Sequence, residues 1–242
     1  MIYRACGIFK TSYAADMELY SAPLAKYAVA AVAIFCAVIV PLLSDNHLLS
    51  LANFVGIAVV GAIGLNILTG YTGQISIGHG AFMAVGGYTA AILSARYGMP
   101  FWVGLMAGGS MAAVVGAFFG IPSLRIKGLY LAIATLAAQF IIEWCINHIT
   151  WISGGVQSTI YVPKPALGRL VLRTEVAKYY MILVVAALSY VFAMNLVRSR
   201  VGRAFMAIRD RDVAAEMIGV NCFYYKLLAF AISSFYAGVA GA

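Results

Sequence analysis

Leu48-Leu-Ser-Leu-Ala-Asn-Phe-Val-Gly-Ile-Ala-Val-Val-Gly-Ala-Ile-Gly-Leu-Asn-Ile-Leu68 runs without a single charged residue. A bilayer core of about 30 Å needs about 20 residues of helix, so this stretch can cross it. Runs of the same kind occupy Tyr27–Leu43, Ile75–Ser94, Phe101–Ile121, Leu129–Ile149 and Tyr179–Val197, and another opens at Leu227 and continues to Ala242. They are long and continuous, whereas the strands of a membrane barrel alternate over short segments, so helices are expected. Composition agrees. The chain of 242 residues is 64% hydrophobic and 10% charged, against roughly 25% charged in soluble domains. The sequence therefore predicts an all-α polytopic integral membrane protein with at least six transmembrane helices and an incomplete seventh. The last run is short and closes on Gly238-Val-Ala-Gly-Ala242 with no polar anchor, so the chain reads as C-terminally truncated.

Charge predicts the orientation. With the N-terminus cytoplasmic, the inner segments hold Arg4, Lys10, Lys26, Arg125, Lys127, Arg198, Arg200, Arg203, Arg209, Arg211 and Lys226. The outer segments hold fewer: Arg96, Lys164, Arg169, Arg173 and Lys178. That bias follows the positive-inside rule. It also accounts for the net charge of +8 by short basic loops, which argues against nucleic-acid binding. Residues 1–26 read as a cytoplasmic segment and not as a signal peptide, because Arg4, Lys10, Asp16 and Glu18 are mixed through them. Met17 is an alternative start. The four cysteines show no ligand or redox spacing and the three histidines lie in separate segments, so neither a disulfide framework nor a metal site is expected.

Three segments carry more than hydrophobicity. In Gly70–Tyr88, Gly73, Gln74, Ser76, Gly78 and His79 make a poor lipid-facing helix. Two readings stand: small residues for close helix packing, or a broken helix whose freed backbone meets a polar solute. Along the fifth run, Thr135, Gln139, Glu143 and Asn147 recur every four residues, which predicts a polar stripe on one helix face turned towards protein or a water-filled cavity. Glu143 reads either as part of a solute or proton route or as an interfacial residue bonded within the bundle. The third segment, 198–226, is long for a helix connection and is expected to be structured. Asp212 suits the start of a short helix and Gly219 its end.

Two of these segments carry a resemblance. Gly64-Leu-Asn-Ile-Leu-Thr-Gly-Tyr-Thr-Gly-Gln-Ile-Ser-Ile-Gly-His-Gly-Ala-Phe82 resembles the signature of branched-chain amino-acid ABC transporter permeases, M-type subunit. Gly202-Arg-Ala-Phe-Met-Ala-Ile-Arg-Asp-Arg-Asp-Val-Ala-Ala-Glu-Met-Ile-Gly219 resembles their cytoplasmic loop, and Tyr225–Gly241, Tyr130–Leu136 and Ser153–Gly155 continue the likeness in order.

The resemblance implies a bacterial inner-membrane importer subunit. Its partners would be a second permease subunit, two cytoplasmic ATP-binding subunits and a periplasmic solute-binding protein. It also implies that Arg209, Asp210, Asp212, Ala214, Ala215, Glu216 and Gly219 form the segment that couples to the ATPase. In such permeases the loop carries Glu-Ala-Ala followed by Gly; here Ala214, Ala215 and Gly219 match, but Val213 stands in place of the Glu. The chain has no Gly-x4-Gly-Lys-Ser/Thr phosphate loop, so ATP would be used by the partners and no cofactor is expected on this chain, which is not read as an enzyme.

Two departures bear on cargo. Ala138–Glu143 replaces the family's usual Phe-Gly-Glu-Ile-Ile-Arg, and Val156-Gln-Ser158 replaces Pro-Asn-Gly. Leucine, isoleucine and valine are the default, with urea, short amides, other amino acids and aromatic carboxylates open. The expected solute path comprises Gly73, Gln74, Ser76, Gly78, His79, Gln139 and Glu143. The competing class is an ion-driven secondary carrier using Glu143.

Overall fold

In a computed structural model, the described residues are 23–43, 45–123, 128–153, 160, 166–167, 170–171 and 174–242. Expectations for residues 1–22, for Arg125 and Lys127, for the 154–159 stretch, and for Lys164, Arg169 and Arg173 lie outside them. The chain divides into two units, 1–51 and 52–242. In the first, α1 (Pro23–Ile34), a π turn (Phe35–Ile39) and α2 (Val40–Leu43) follow one another, and α3 begins at Asn46.

In the second unit, α3 continues to Asn66 and closes with a π turn, Ile67–Tyr71. Then come α4 (His79–Tyr97), α5 (Phe101–Ser123), α6 (Leu129–His148) and the single turn α7 (Thr150–Ser153). The two-residue strands β1 (Ala166–Leu167) and β2 (Leu170–Val171) pair antiparallel. The chain finishes with α8 (Glu175–Arg198), α9 (Arg200–Asp210), α10 (Asp212–Met217) and α11 (Cys222–Gly241).

The all-α membrane class stands, with altered boundaries. Among the described residues, five helices are long and apolar enough to cross a membrane: Asn46–Tyr71, Phe101–Pro122, Tyr130–His148, Glu175–Arg198 and Cys222–Gly241. The expected count of six or more is not reached by that measure. The segment expected at 75–94 is a helix only from His79, and Gly86, Gly87, Tyr88, Thr89 and Arg96 lower its apolarity. The run expected at 27–43 is helical throughout, as α1, a π turn at Phe35–Ile39 and α2. The seventh segment, expected to be incomplete from Leu227, is a 20-residue helix that starts five residues earlier, at Cys222. Asn221 caps it by accepting from the Tyr224 amide at 3.1 Å, and this cap sets the earlier start.

The core is where α4, α5 and α11 meet, and glycine makes it possible. A Cβ on Gly238 would run into Ala112 and lie 2.8 Å from the Gly108 carbonyl oxygen; one on Gly86 would run into the Gly238 backbone. Backbones this close gain dispersion contacts that larger residues would prevent. Phe82, Phe230 and Ala112 fill the space between them, with Phe82 and Phe230 edge to face at 5.7 Å. In water such packing would be driven by area removed from solvent; between membrane helices it rests on contact itself.

Candidate functional site

The chemistry-bearing residues gather at one end of the second unit, where the 72–78 link between α3 and α4 meets α6, α9 and α11. The link turns on Gly73, whose φ of +69° lies in the left-handed region that glycine tolerates. Thr72, Gln74 and Ser76 alternate inward and are buried, while Ile75 and Ile77 are exposed. This inverts the usual pattern. Each inward side chain therefore needs a partner.

Thr72 donates from Oγ1 to the Leu68 carbonyl at 2.6 Å. Gln74 Nε2 donates to Thr72 Oγ1 at 3.0 Å and to the Lys226 carbonyl at 3.3 Å. Ser76 Oγ lies 3.0 Å from His79 Nδ1, and His79 Nε2 meets Ser233 Oγ. Ser233 in turn donates to the Gly64 carbonyl at 2.7 Å. Because that bond uses the Ser233 proton, His79 must donate from Nε2 and accept at Nδ1 from Ser76. The Ile77 amide donates to Thr135 Oγ1 at 3.1 Å, and a Cβ on Gly78 would strike the Thr135 carbonyl. The link is thus tied to α3, α6 and α11 at once.

The expected polar stripe on α6 turns as it runs. A step of four residues overshoots a full helical turn by about 40°. Thr135 is buried under Ile77, Gln139 is half-buried, and Glu143 and Asn147 are exposed on this chain. Gln139 Nε2 donates to Glu143 Oε1 at 3.0 Å. Gln139 lies near Gly80, but Glu143 does not join the 72–79 cluster.

The 198–226 segment is structured as expected. Ser199 caps α9 by accepting from the Val201 and Gly202 amides. The buried face of α9 is Gly202, Ala204, Phe205 and Ile208, and its outer face carries the arginines. α10 closes in a Schellman arrangement: Gly219 has φ +87°, the Val220 amide bonds the Ala215 carbonyl at 3.0 Å, and the Gly219 amide bonds that of Glu216 at 3.0 Å. Asp212 starts the helix, but it does not cap it. Its carboxylate pairs with Lys226 Nζ at 3.2 Å, while its carbonyl accepts from Cys222 Sγ at 3.3 Å.

Ala215 is 2% exposed, packed with Ile208 and Cys222. Val213, Ala214, Glu216, Met217 and Ile218 face outward, Met217 at 86% exposure. Arg209 and Asp210 are exposed, and Arg209 Nη1 donates to the Gly70 carbonyl at 2.7 Å, joining the two family-like segments.

Between them lies a cavity of about 180 Å³, walled by Gln74, Ile75, Leu131, Ile208, Arg209 and Lys226 among others. Sequence reasoning missed Ser233, Leu131 and the partnership of Lys226. The Ser233-Ser234 pair inside an otherwise apolar run was the available signal for the first.

The chain is similar to the high-affinity branched-chain amino acid transport system permease protein LivM of Escherichia coli (strain K12). The two are 33% identical over 224 residues, 83% of this chain and 53% of LivM. The Salmonella typhimurium (strain LT2) protein of the same name is 31% identical over the same extent. This chain thus spans about half the length of the curated relatives it matches. No solved structure matches it. The model of a branched-chain amino acid transport system permease component matches residues 47–242, a range that takes in the 72–79 link, the polar stripe of α6 and the α9–α10 pair together. The chain therefore belongs to the permease-component family of branched-chain amino acid transport systems.

Proposed function

We propose that this chain is the membrane-spanning permease subunit of an ATP-binding-cassette importer. It would work with a second permease subunit, two cytoplasmic ATP-binding subunits and a periplasmic solute-binding protein in a bacterial inner membrane, N-terminus inside. Its cargo is a branched-chain or related amino acid. The observation that carries this reading is α10: a short helix fixed from beneath by Ala215, closed by Gly219, and presenting Val213, Met217 and Ile218 outward. Exposed apolar knobs rimmed by Arg209, Asp210 and Glu216 suit the surface of another protein.

Force applied to α10 has a physical route into the bundle. Ala215 packs with Ile208 of α9 and Cys222 of α11, and Asp212 is paired with Lys226 of α11. α11 is the helix that α4 and α5 hold through glycine contacts. Closure of the ATPases would then move packed helices as bodies and alternate access to the solute path. For that path we propose Gly73 and Gln74 at the cavity, with Gln139 and Glu143 on the slanting stripe. Ser76, Gly78 and His79 serve it indirectly by fastening the link.

An ion-driven carrier using Glu143 is the competing mechanism, and the Gln139–Glu143 bond on an exposed face is what favours it. Uptake of labelled leucine by the reconstituted complex separates the two. Dependence on internal ATP, with indifference to a protonophore, is expected; ATP-independent uptake abolished by the protonophore overturns the proposal. Competition by urea, short amides and aromatic carboxylates in the same assay identifies the cargo class.

A further inference from the structure

We infer that the elbow between α8 and α9 is a binding site for an anionic phospholipid, its phosphate held by Arg200 and Arg203 and its acyl chains lying along the apolar face of α8.

The first ground is unmatched charge at the elbow. α8 ends at Arg198, Ser199 turns the chain in extended backbone, and α9 opens with Arg200. Arg200 and Arg203 sit about 60° apart around the α9 axis, so both project from one side. They are exposed, outside the buried face of Ala204, Phe205 and Ile208. Arg203 Nη1 donates to the Arg198 carbonyl at 3.3 Å, which draws its guanidinium back towards the end of α8 and leaves its other donors to spare. No Asp or Glu occurs between Glu175 and Asp210, and Asp210 lies about 10 Å beyond Arg203 along the helix. Among the described residues no ion pair engages Arg200 or Arg203. Two neighbouring guanidiniums repel each other, and an anion between them removes that cost.

The second ground is what adjoins the charge. Of the five helices that can cross a membrane, Glu175–Arg198 is the least buried within this chain. Val184, Leu188, Val191 and Phe192 are exposed, and their spacing places them on one helix face. Continuing that spacing reaches Asn195 and then Arg198, so the apolar stripe runs directly into the elbow. From Val184 to Arg198 it extends about 21 Å, enough for the acyl layer of one leaflet, about 15 Å deep.

The third ground is depth. The 24 residues of α8 make a helix about 36 Å long against a hydrocarbon core of about 30 Å, so its end reaches the headgroup layer. Arginines at that level extend to the phosphates, and the guanidinium fork takes two phosphate oxygens at once. Phosphatidylglycerol or cardiolipin brings net negative charge, whereas the choline of a zwitterionic lipid offsets its own phosphate. A partner protein could also cover an apolar stripe. A stripe that ends on cations with no acid near them matches a lipid better, because one molecule supplies both the tail and the anion.

This site goes beyond the importer reading and does not depend on it. The purified full chain is reconstituted in phosphatidylcholine vesicles with a rising mole fraction of phosphatidylglycerol bearing an acyl-chain diazirine. After irradiation, labelling of residues 184–203 is read by mass spectrometry. Phosphatidylcholine bearing the same diazirine is the reference.

The phosphatidylglycerol probe should saturate, at a half-saturating mole fraction at least about fivefold below that of the reference. Arg200→Gln and Arg203→Gln should each raise that fraction about fivefold. Arg96→Gln, which removes a cation at the opposite end of the bundle, should leave it unchanged. Raising NaCl to about 0.5 M should weaken labelling of the native chain several-fold, an arm that needs no substitution. The assignment is overturned by absent labelling of 184–203, by equal labelling with the two probes, by salt-indifferent labelling, or by a half-saturation that neither arginine variant moves or that Arg96→Gln moves as far. Failure of the importer reading would show separately, as absence of ATP-driven uptake by the complex.

Discussion

Two glycines on neighbouring helices show how differently the same residue can act. Gly238 of α11 sits against Ala112, Gly108 and Gly109 of α5, whereas a Cβ on Gly61 would meet only Ala240 at an ordinary 3.8 Å. Gly238→Val should therefore destabilise the detergent-solubilised chain by about 1–3 kcal/mol through overpacking. Gly61→Ala should be neutral or stabilising by about 0.5–1 kcal/mol through helix propensity. Thermal midpoints of the two variants check the pair. Ser233→Ala makes a second prediction, since it deprives the His79 Nε2–H of its acceptor and the Gly64 carbonyl of its donor. A loss of about 1–3 kcal/mol is expected in the same measurement.

Little of this was legible in the sequence. That Gly73, Gly78 and Gly86 needed small side chains could be read from composition, but which helix each would meet depends on tertiary packing. Gly219 was legible because a helix C-cap is a local event. The bonds of the Gln74 amide nitrogen were not, because the Lys226 carbonyl and Thr72 combine a distant stretch of chain with a near neighbour.

At the scale of elements, the boundaries moved for identifiable reasons. The third segment begins at His79 because Thr72, Gln74 and Ser76 turn inward to bond backbone and side-chain groups, which holds 72–78 out of a helix. The seventh begins at Cys222 because Asn221 caps it. The four-residue recurrence on α6 was visible in sequence, but its slant converts an expected single face into a ramp from buried Thr135 to exposed Glu143. The α9–α10 pair was anticipated as structured, and here the structure also redirects the natural test. Ala215 is interior, so a bulky residue there would disturb the Ile208–Cys222 cluster before it touched a partner. Met217→Asp is cleaner: at 86% exposure it should leave the thermal midpoint within about 0.5 kcal/mol of the original. In the assembled complex it should nonetheless reduce co-purification of the ATPase. Gly219→Val forces a branched residue to φ +87° and should unwind the end of α10 with about 1–2 kcal/mol of strain. Proteolysis near 217–220 would report it.

For the whole molecule, class and family were readable from hydropathy and from two ordered motifs, and both stand. What sequence could not supply was the arrangement that places those motifs together: Arg209 bonded to the Gly70 carbonyl, and a cavity between the two segments. In the proposed importer, this junction connects the element that receives the ATPase stroke to the link that holds α3, α4 and α11 in register.

The most direct test is uptake of labelled leucine into proteoliposomes holding the full complex, with ATP inside, for the native chain and Met217→Asp. The account predicts ATP-dependent, protonophore-resistant uptake by the native complex and its loss in Met217→Asp, although the variant chain remains folded in the membrane. Uptake that persists without ATP and collapses with a protonophore, or that is unchanged by Met217→Asp, would contradict it.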